Sequence, residues 1–139
     1  MRTGAPGSPG RDDGLRIMII DDHEISRTAF RALLRSEGVD VVADLSTSHD
    51  ALAVARALRP EVVIVDVPPA ADTGFGIARC LRALLPAPPI VILTSSTDRT
   101  QFRAQLDGHM FIAKADICSA AIARLARSPE TDGLESRNP

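Results

Sequence analysis

Short apolar runs alternate along the chain with longer segments whose apolar residues recur at helical spacing. The runs are rich in β-branched side chains, which is typical of buried strands. They cover residues 17–20, 39–43, 62–65, 90–93 and 109–113. Helical patterns follow at 25–37, 51–58, from the loop 68–74 to about 85, at 98–106 and at 116–126. This alternation predicts five βα units, which form one parallel sheet with right-handed crossovers and helices on both faces.

Glycine, proline and polar residues mark where the predicted elements end. Gly38 lies where a helix C-cap belongs. Ser48 is a plausible N-cap for the helix over 51–58, which should end before Pro60. The strand over 39–43 alternates more than the others and is expected nearer the sheet edge. The apolar residues of the first helix recur at helical spacing and are Ile25, Ala29, Phe30, Leu33 and Leu34.

The two ends of the chain differ in composition from this alternating region. Residues 1–14 and 128–139 are rich in Gly, Pro, Ser and charge, so they can bury little apolar surface. We expect a flexible N-terminal tail over 1–14 and one domain over 15–127. Residues 128–139 are then a flexible tail or the start of a linker.

Composition narrows the functional classes. Of the 139 residues 45% are hydrophobic but only 3% aromatic, and the net charge is −2. Without a basic excess or stacking aromatics, we expect no direct nucleic-acid binding by this domain. No apolar run suits a membrane span or a signal peptide, so a cytoplasmic location is expected. Cys80 and Cys118 match no metal spacing and are expected to be buried, reduced thiols.

Distinctive polar residues stand at or just after four of the five predicted strands. They are Asp21-Asp22, Asp66, Thr94-Ser95 and Lys114. Ligands of open parallel sheets bind at the carboxyl ends of the strands, so these side chains should share one site. Clustered carboxylates suit Mg²⁺, and a carboxylate can attack phosphorus to form an aspartyl phosphate. A Lys and a hydroxyl would then stabilise the transferred phosphoryl group.

With these residues in place, the chain resembles the receiver domains of bacterial response regulators over about residues 15–125. The stretches that carry the resemblance are IMIIDDHEISRTAFRALL, RPEVVIVDV, DTGFGIARCLR, VILTSS and DGHMFIAK. The opening DDH looks most like the subfamily often fused to a helix-turn-helix output domain. The resemblance implies a flavodoxin-like, doubly wound α/β fold with a five-stranded parallel sheet of strand order 2-1-3-4-5.

The resemblance also implies a magnesium-dependent phosphoacceptor site. Asp66 matches the phosphoacceptor of the family. Asp21 and Asp22 match the acidic pair that holds Mg²⁺, Asp22 directly and Asp21 through water. Pro68 matches the position whose backbone carbonyl also ligates the metal.

Four further residues match the parts of the family that respond to phosphorylation. Thr94 matches the hydroxyl that moves toward the phosphoryl group, and Ser95 matches the small residue whose backbone N–H donates to it. Lys114 matches the lysine that pairs with phosphoryl oxygens, and Phe111 matches the aromatic switch. The implied partners are a sensor histidine kinase or phosphotransfer protein, with a possible homodimer. The surface that would repack is formed by the fourth helix, fifth strand and fifth helix.

The loop after Asp66 departs from the family pattern. Pro68 and Pro69 are adjacent, and Pro68 has no N–H to donate. This favours, as an alternative, a phosphorylation-independent receiver that acts as a protein-interaction module. An aspartyl-phosphate phosphohydrolase would need a proton-transferring Asp where Pro68 stands, so we expect a signalling domain and not an enzyme. His23, beside the acidic pair, is expected to be a loop residue instead of a metal ligand.

Overall fold

Five strands and four helices make up the described part of the protein. The structure is a computed structural model that describes residues 14–47, 49–68, 73–96 and 108–127. The strands are β1 (Arg16–Ile20), β2 (Asp40–Leu45), β3 (Val62–Asp66), β4 (Ile90–Ser95) and β5 (Met110–Ala113). The helices are α1 (Glu24–Ser36), α2 (Ala51–Leu58), α3 (Thr73–Arg82) and α4 (Ser119–Arg127). A short 3₁₀ turn covers Lys114–Asp116.

The strands form one sheet in the order β2-β1-β3-β4-β5. Every neighbouring pair is parallel, which confirms the predicted flavodoxin-like topology. The edge position expected for the second strand is also confirmed. Because all strands run the same way, their carboxyl ends lie at one edge of the sheet, called the carboxyl edge below. The opposite edge, which carries the amino ends, is called the amino edge.

Helices cover both faces of the sheet, as predicted. Alternate residues of β1 point to opposite faces, since side chains alternate along a strand. Ile17 and Ile19 belong to the core cluster that includes Leu34 of α1 and Ile122 of α4. Met18 and Ile20 belong to the second cluster, which includes residues of α2 and α3. Strands buried on both faces explain why the sequence shows continuous apolar runs.

Helix ends follow local backbone chemistry and differ in places from the prediction. Gly38 has φ of +89° just after the C-cap of α1, as expected of a C-cap glycine. The N-cap of α2 is Asp50, whose side chain accepts the Ala53 backbone N–H at 3.0 Å. The predicted cap, Ser48, lies outside the described residues. Helix α3 ends at Arg82 instead of near 85, consistent with the helix-breaking effect of Pro86.

The last helix begins later than the sequence predicted. A 3₁₀ turn begins at Lys114, and Ile117 then takes extended backbone angles, which directs its side chain into the core. Helix α4 therefore starts at Ser119 and not at Asp116. The predicted helix over 98–106 and the predicted tails, apart from Gly14, lie outside the described residues.

The expectation that both cysteines are buried is wrong, and burial along α1 is uneven. Of the apolar residues of the first helix, Leu34 is buried but Ile25 is 87% exposed and Leu33 is 40% exposed. Cys80 is exposed on α3, and both cysteines are free thiols. In the described part of the chain, none of the helices has both the length and the apolar character that crossing a bilayer needs.

Candidate functional site

Four of the predicted site residues come together at the carboxyl edge. Asp21 directly follows β1, Asp66 is the last residue of β3, and Lys114 directly follows β5. Thr94 is the register partner of Asp66 on the adjacent strand β4. Asp21, Asp66 and Thr94 are buried, although each is polar. The parallel sheet therefore places two carboxylates, a hydroxyl and an ammonium group in one pocket.

Lys114 lies between the two buried carboxylates. Its Nζ is 3.1 Å from Asp66 Oδ1 and 3.1 Å from Asp21 Oδ2. The same Nζ lies 5.7 Å from the centre of the Phe30 ring. One ammonium group thus offsets part of the repulsion between two carboxylates that burial would otherwise strengthen.

The carboxyl group of Asp66 is harder to ionise than an ordinary aspartate. Burial raises its pKa, and the nearby charge of Asp21 raises the pKa further. The hydrogen bond and charge of Lys114 lower the pKa but do not cancel these effects. Any cation placed near this carboxylate would favour its charged form.

Asp21 is held by α1 as well as by Lys114. The His23 backbone N–H donates to Oδ1 at 2.9 Å, and the Ser26 hydroxyl donates to Oδ2 at 2.9 Å. Arg27 donates to the Asp21 carbonyl at 2.7 Å. Its Nε also donates at 3.2 Å to Asp44 on β2. The buried carboxylate therefore has a fixed position before any ligand arrives.

Asp22 has different surroundings from Asp21. Its side chain is exposed and is bound by Thr47, which follows β2. The Thr47 backbone N–H donates to Oδ1 at 2.6 Å, and its hydroxyl lies 2.8 and 2.7 Å from the two carboxylate oxygens. The backbone N–H of Thr47 is the main cause that lowers the pKa of Asp22. The resemblance assigned direct metal ligation to Asp22, but Asp21 is the member of the pair that faces Asp66.

A possible metal-ligand group lies at the mouth of the pocket. Ligand atoms of Asp21, His23 and Asp66 all lie within 4.8 Å of one another. The Nδ1 atom of His23 is 3.4 Å from Asp21 Oδ1 and 3.9 Å from Asp66 Oδ2. The paired carboxylate oxygens fit Mg²⁺, which prefers oxygen ligands to imidazole nitrogen. His23 thus borders the site more closely than expected, although the oxygens remain the better magnesium ligands.

The other residues matched to the family lie at the end of β4, on β5 and just after β3. The Thr94 hydroxyl is buried and, among the described residues, has no hydrogen-bond partner. Ser95 is buried beside it at the end of β4. Phe111 on β5 is partly buried against the core cluster that includes residues of α2 and α3. Pro68 is half-buried two residues after Asp66, and residues 69–72 lie outside the described residues.

Gly74 permits a close approach between α3 and the strand that carries Asp66. A Cβ atom at this position would lie 2.8 Å from the Asp66 carbonyl oxygen and 2.7 Å from Val67 Cγ1. Real Cβ atoms do not come so close to other heavy atoms. The first turn of α3 can therefore pack here only because residue 74 has no side chain.

Several residues that shape the site were missed from the sequence. Thr47 reaches Asp22 across 25 residues, and Asp44 reaches Arg27 across 17. No local pattern indicates such pairs. The position of Thr47 just after β2, at the same sheet edge as Asp22, is the one signal that could have suggested its contact.

The chain is similar in sequence to a known protein family. A family profile described as "Response regulator receiver domain" matches residues 17–117. A protein-glutamate methylesterase/protein-glutamine glutaminase of Anaeromyxobacter dehalogenans is 34% identical over 120 residues, which is 85% of this chain and 35% of that protein. The DNA-binding transcriptional activator DevR/DosR of Mycobacterium tuberculosis is 30% identical over 115 residues, or 81% of this chain and 53% of that protein.

Solved structures show the same fold. The signal receiver domain of NarL from Mycobacterium tuberculosis aligns with a TM-score of 0.64 and 28% identity, over 82% of this chain and 97% of that one. The BeF₃-activated N-terminal receiver domain of Klebsiella pneumoniae RstA aligns with a TM-score of 0.61 and 25% identity, over 79% and 94%. The chain spans only about a third to a half of the two curated relatives described above, 35% and 53% of their lengths.

Proposed function

Because the chain belongs to the response regulator receiver domain family of two-component signalling systems, we propose that it accepts a phosphoryl group on Asp66 in a reaction that requires Mg²⁺. The phosphodonor would be a sensor histidine kinase or a phosphotransfer protein. The chain would act as a cytoplasmic signalling switch and not as an enzyme with its own substrate.

The observation that carries this proposal is the shared contact of Lys114 with Asp66 and Asp21. Two buried carboxylates lie 3.1 Å from one ammonium group, so negative charge exceeds positive charge and the site favours a cation beside Asp66. A purely structural ion pair would need only one carboxylate, whereas the second one raises the cost of burial. Buried charge of this kind is typical of functional sites.

The residues of the pocket have distinct roles in the proposed transfer. A carboxylate oxygen of Asp66 forms the new bond to phosphorus while the bond from phosphorus to the donor breaks. Lys114 is placed to stabilise the added negative charge, since its Nζ already touches the attacking carboxylate. The buried Thr94 hydroxyl lies on the neighbouring strand and would gain a phosphoryl oxygen as its partner.

The metal would be held by the carboxylates at the mouth of the pocket. Asp21 and Asp66 supply oxygen ligands, and the Pro68 carbonyl would add another by resemblance. A bound Mg²⁺ would neutralise charge on the phosphoryl oxygens during transfer. Asp21 is kept in place by Ser26 and His23, so the chain positions this ligand itself.

Transfer would change the surface of the domain through Thr94 and Phe111. The phosphoryl group adds about −1.5 to −2 charges. If Thr94 moves toward it, space opens near the partly buried Phe111, which packs against the core cluster of α2 and α3. The surface of β5, α4 and the predicted helix over 98–106 would then repack and control an output domain or partner. A homodimer through this surface stays a prediction.

Replacing the phosphoacceptor tests the proposal. With Mg²⁺ and acetyl phosphate, the wild-type chain should gain one phosphoryl group, measured by intact-protein mass spectrometry. Asp66→Asn should gain none, and chelation of Mg²⁺ should abolish the gain in the wild type. Asp40→Asn is the control, because Asp40 is exposed at the start of β2, at the amino edge. Phosphorylation that persists in Asp66→Asn would refute the assignment, and partner binding unaffected by this variant would favour the interaction-module alternative.

The exposed apolar surface of α1 is the proposed contact for the phosphodonor protein. Ile25 is 87% exposed and lies two residues after His23, at the mouth of the pocket. Leu33 continues the apolar surface two turns later. A donor protein that reaches Asp66 past His23 would meet these side chains, and exposed apolar side chains next to a site favour protein contact.

A matched pair of variants tests this contact. Ile25→Glu should slow phosphoryl transfer from a phosphorylated histidine kinase that serves the wild-type chain, while transfer from acetyl phosphate stays unchanged. Leu85→Glu is the control, because Leu85 is 83% exposed but precedes β4 at the amino edge. Equal effects of the two variants on kinase transfer would exclude the proposed surface.

A further inference from the structure

The contact between Asp22 and Thr47 joins two loops at the carboxyl edge. Asp22 belongs to the loop between β1 and α1, and Thr47 belongs to the loop between β2 and α2. Thr47 supplies both its backbone N–H and its hydroxyl, at 2.6 to 2.8 Å from the carboxylate oxygens of Asp22. Hydrogen bonds to a charged group are stronger than those between neutral groups. The side chain of Asp22 is therefore held at Thr47.

This contact keeps Asp22 out of the ligand group at the pocket. Among the described residues, the atoms that lie within 4.8 Å of one another come from Asp21, His23 and Asp66. Asp22 is adjacent to Asp21 in the chain but contributes no atom to this group. Along the chain, the Asp22 carboxylate is the one closest to Asp21, so it could still join this ligand group.

Three of the four carboxylate oxygens in the pocket already have protein partners. Asp21 Oδ1 accepts the His23 N–H, and Asp21 Oδ2 accepts the Ser26 hydroxyl and lies 3.1 Å from Lys114. Asp66 Oδ1 is also 3.1 Å from Lys114. Mg²⁺ demands six oxygen ligands in a nearly octahedral arrangement. A further carboxylate that is not committed to Lys114 would therefore improve the site.

We propose that Thr47 is an affinity-determining residue for Mg²⁺, because it holds Asp22 away from the metal site and releases Asp22 when the metal binds. The loop after β2 would then respond to metal before any phosphoryl transfer. This inference rests on the proposed function only in placing Mg²⁺ at Asp21 and Asp66.

Direct Mg²⁺ titration followed by NMR at constant pH tests the proposal without any phosphodonor. Thr47→Val removes the hydroxyl, keeps the side-chain shape and should tighten Mg²⁺ binding about fivefold, which corresponds to the loss of one net hydrogen bond. Ser46→Ala is the matched control, because Ser46 lies in the same loop and its hydroxyl lies 3.1 Å from His49 Nδ1 instead of at Asp22. It should change the affinity by less than about twofold.

Two further measurements complete the test. Hydrogen exchange of the Thr47 backbone N–H should be slow without metal and faster at saturating Mg²⁺, since its acceptor would leave. Asp22→Asn should weaken Mg²⁺ binding, because the released side chain would no longer carry a charge.

The outcomes separate this inference from the proposed function. If the wild-type chain shows no Mg²⁺-dependent shifts at Asp21 or Asp66, the proposed function fails. If the wild type binds Mg²⁺ but Thr47→Val binds no tighter, the proposed release is wrong. Weaker binding by Thr47→Val, of about tenfold or more, would show that Thr47 orients a ligand instead. An unchanged affinity in Asp22→Asn, or a Thr47 N–H that stays protected with metal, would also overturn it.

Discussion

A methyl group added at Gly74 should destabilise the domain, whereas the same change two residues later should stabilise it. Gly74 and Gly76 both belong to α3, so the substitution and the secondary structure are the same. At Gly74 the new Cβ would lie 2.7 Å from Val67 Cγ1 and 2.8 Å from the Asp66 carbonyl oxygen. At Gly76 the nearest atom is Arg79 Nη2 at 3.8 Å, an ordinary contact with a flexible side chain.

The magnitudes follow from two opposing effects. Replacing Gly by Ala within a helix favours folding by roughly 0.5–1 kcal/mol, since the unfolded chain loses conformational freedom. Overpacking a filled site typically costs about 1–3 kcal/mol. Because one of the crowded atoms at Gly74 belongs to the backbone, the site cannot relax by moving a side chain alone. We therefore expect Gly74→Ala to lose about 1–2 kcal/mol net and Gly76→Ala to gain roughly 0.5–1 kcal/mol.

Urea unfolding of the metal-free protein measures both variants under the same conditions. The expected gap between the two variants is about 1.5–3 kcal/mol, well above the error of a midpoint comparison. Gly74→Ala should also shift the NMR signals of Asp66, because the helix can move only by displacing its carbonyl. A Gly74→Ala protein as stable as the wild type would refute the packing argument, and Gly76→Ala controls for the general effect of the substitution.

Three further predictions concern charges at the carboxyl edge and one helix end. Asp66→Asn should stabilise the metal-free protein. Its advantage over the wild type in unfolding free energy should grow as the pH rises above about 4 through the raised pKa of Asp66, because the folded wild type holds this proton more tightly than the unfolded chain does. An advantage that shrinks as the pH rises would contradict this. Lys114→Met should lower the unfolding free energy by about 1–3 kcal/mol, because it leaves two buried carboxylates without their shared cation. In a double-mutant cycle this loss should be smaller in the Asp66→Asn background, and an equal loss would mean that Lys114 does not act through Asp66. Asp50→Ala should cost about 1 kcal/mol in urea unfolding through the lost N-cap of α2, whereas Ser46→Ala, which leaves the cap intact, should cost less.

The sheet could be predicted from the sequence because its strands are buried on both faces. Val62 to Val65 form a continuous β-branched run between polar residues, and Ile17 to Ile20 form a similar apolar run in which only Met18 is not β-branched. Such runs have few other structural explanations when helical segments separate them. The ends of the helices were less predictable, since they depend on contacts outside the helix. Because Ile117 is buried in the core, α4 starts only at Ser119, and no local sequence pattern indicates this later start.

The site residues could be predicted where each one ends its own strand. Asp66 and Lys114 were found this way, because the topology brings the carboxyl ends of strands together whatever the loops do. The partners of Asp22 and Arg27 could not be found, since Thr47 and Asp44 reach them from another βα unit. The exposure of Ile25 was missed for a related reason. Helical spacing locates an apolar residue on a helix, but only the packed structure shows whether another element covers it.

The contacts of the pocket also indicate how the proposed phosphorylation would favour a second state. In the structure Lys114 is already paired with Asp66 and Asp21, so an arriving phosphoryl group would replace these contacts instead of simply adding new ones. Thr94 differs, because its buried hydroxyl has no partner among the described residues and would gain a hydrogen bond at little cost. A ligand shifts an equilibrium only through contacts that differ between the states. If Asp66 is phosphorylated as proposed, Thr94, more than Lys114, would therefore supply the free energy that favours the second state.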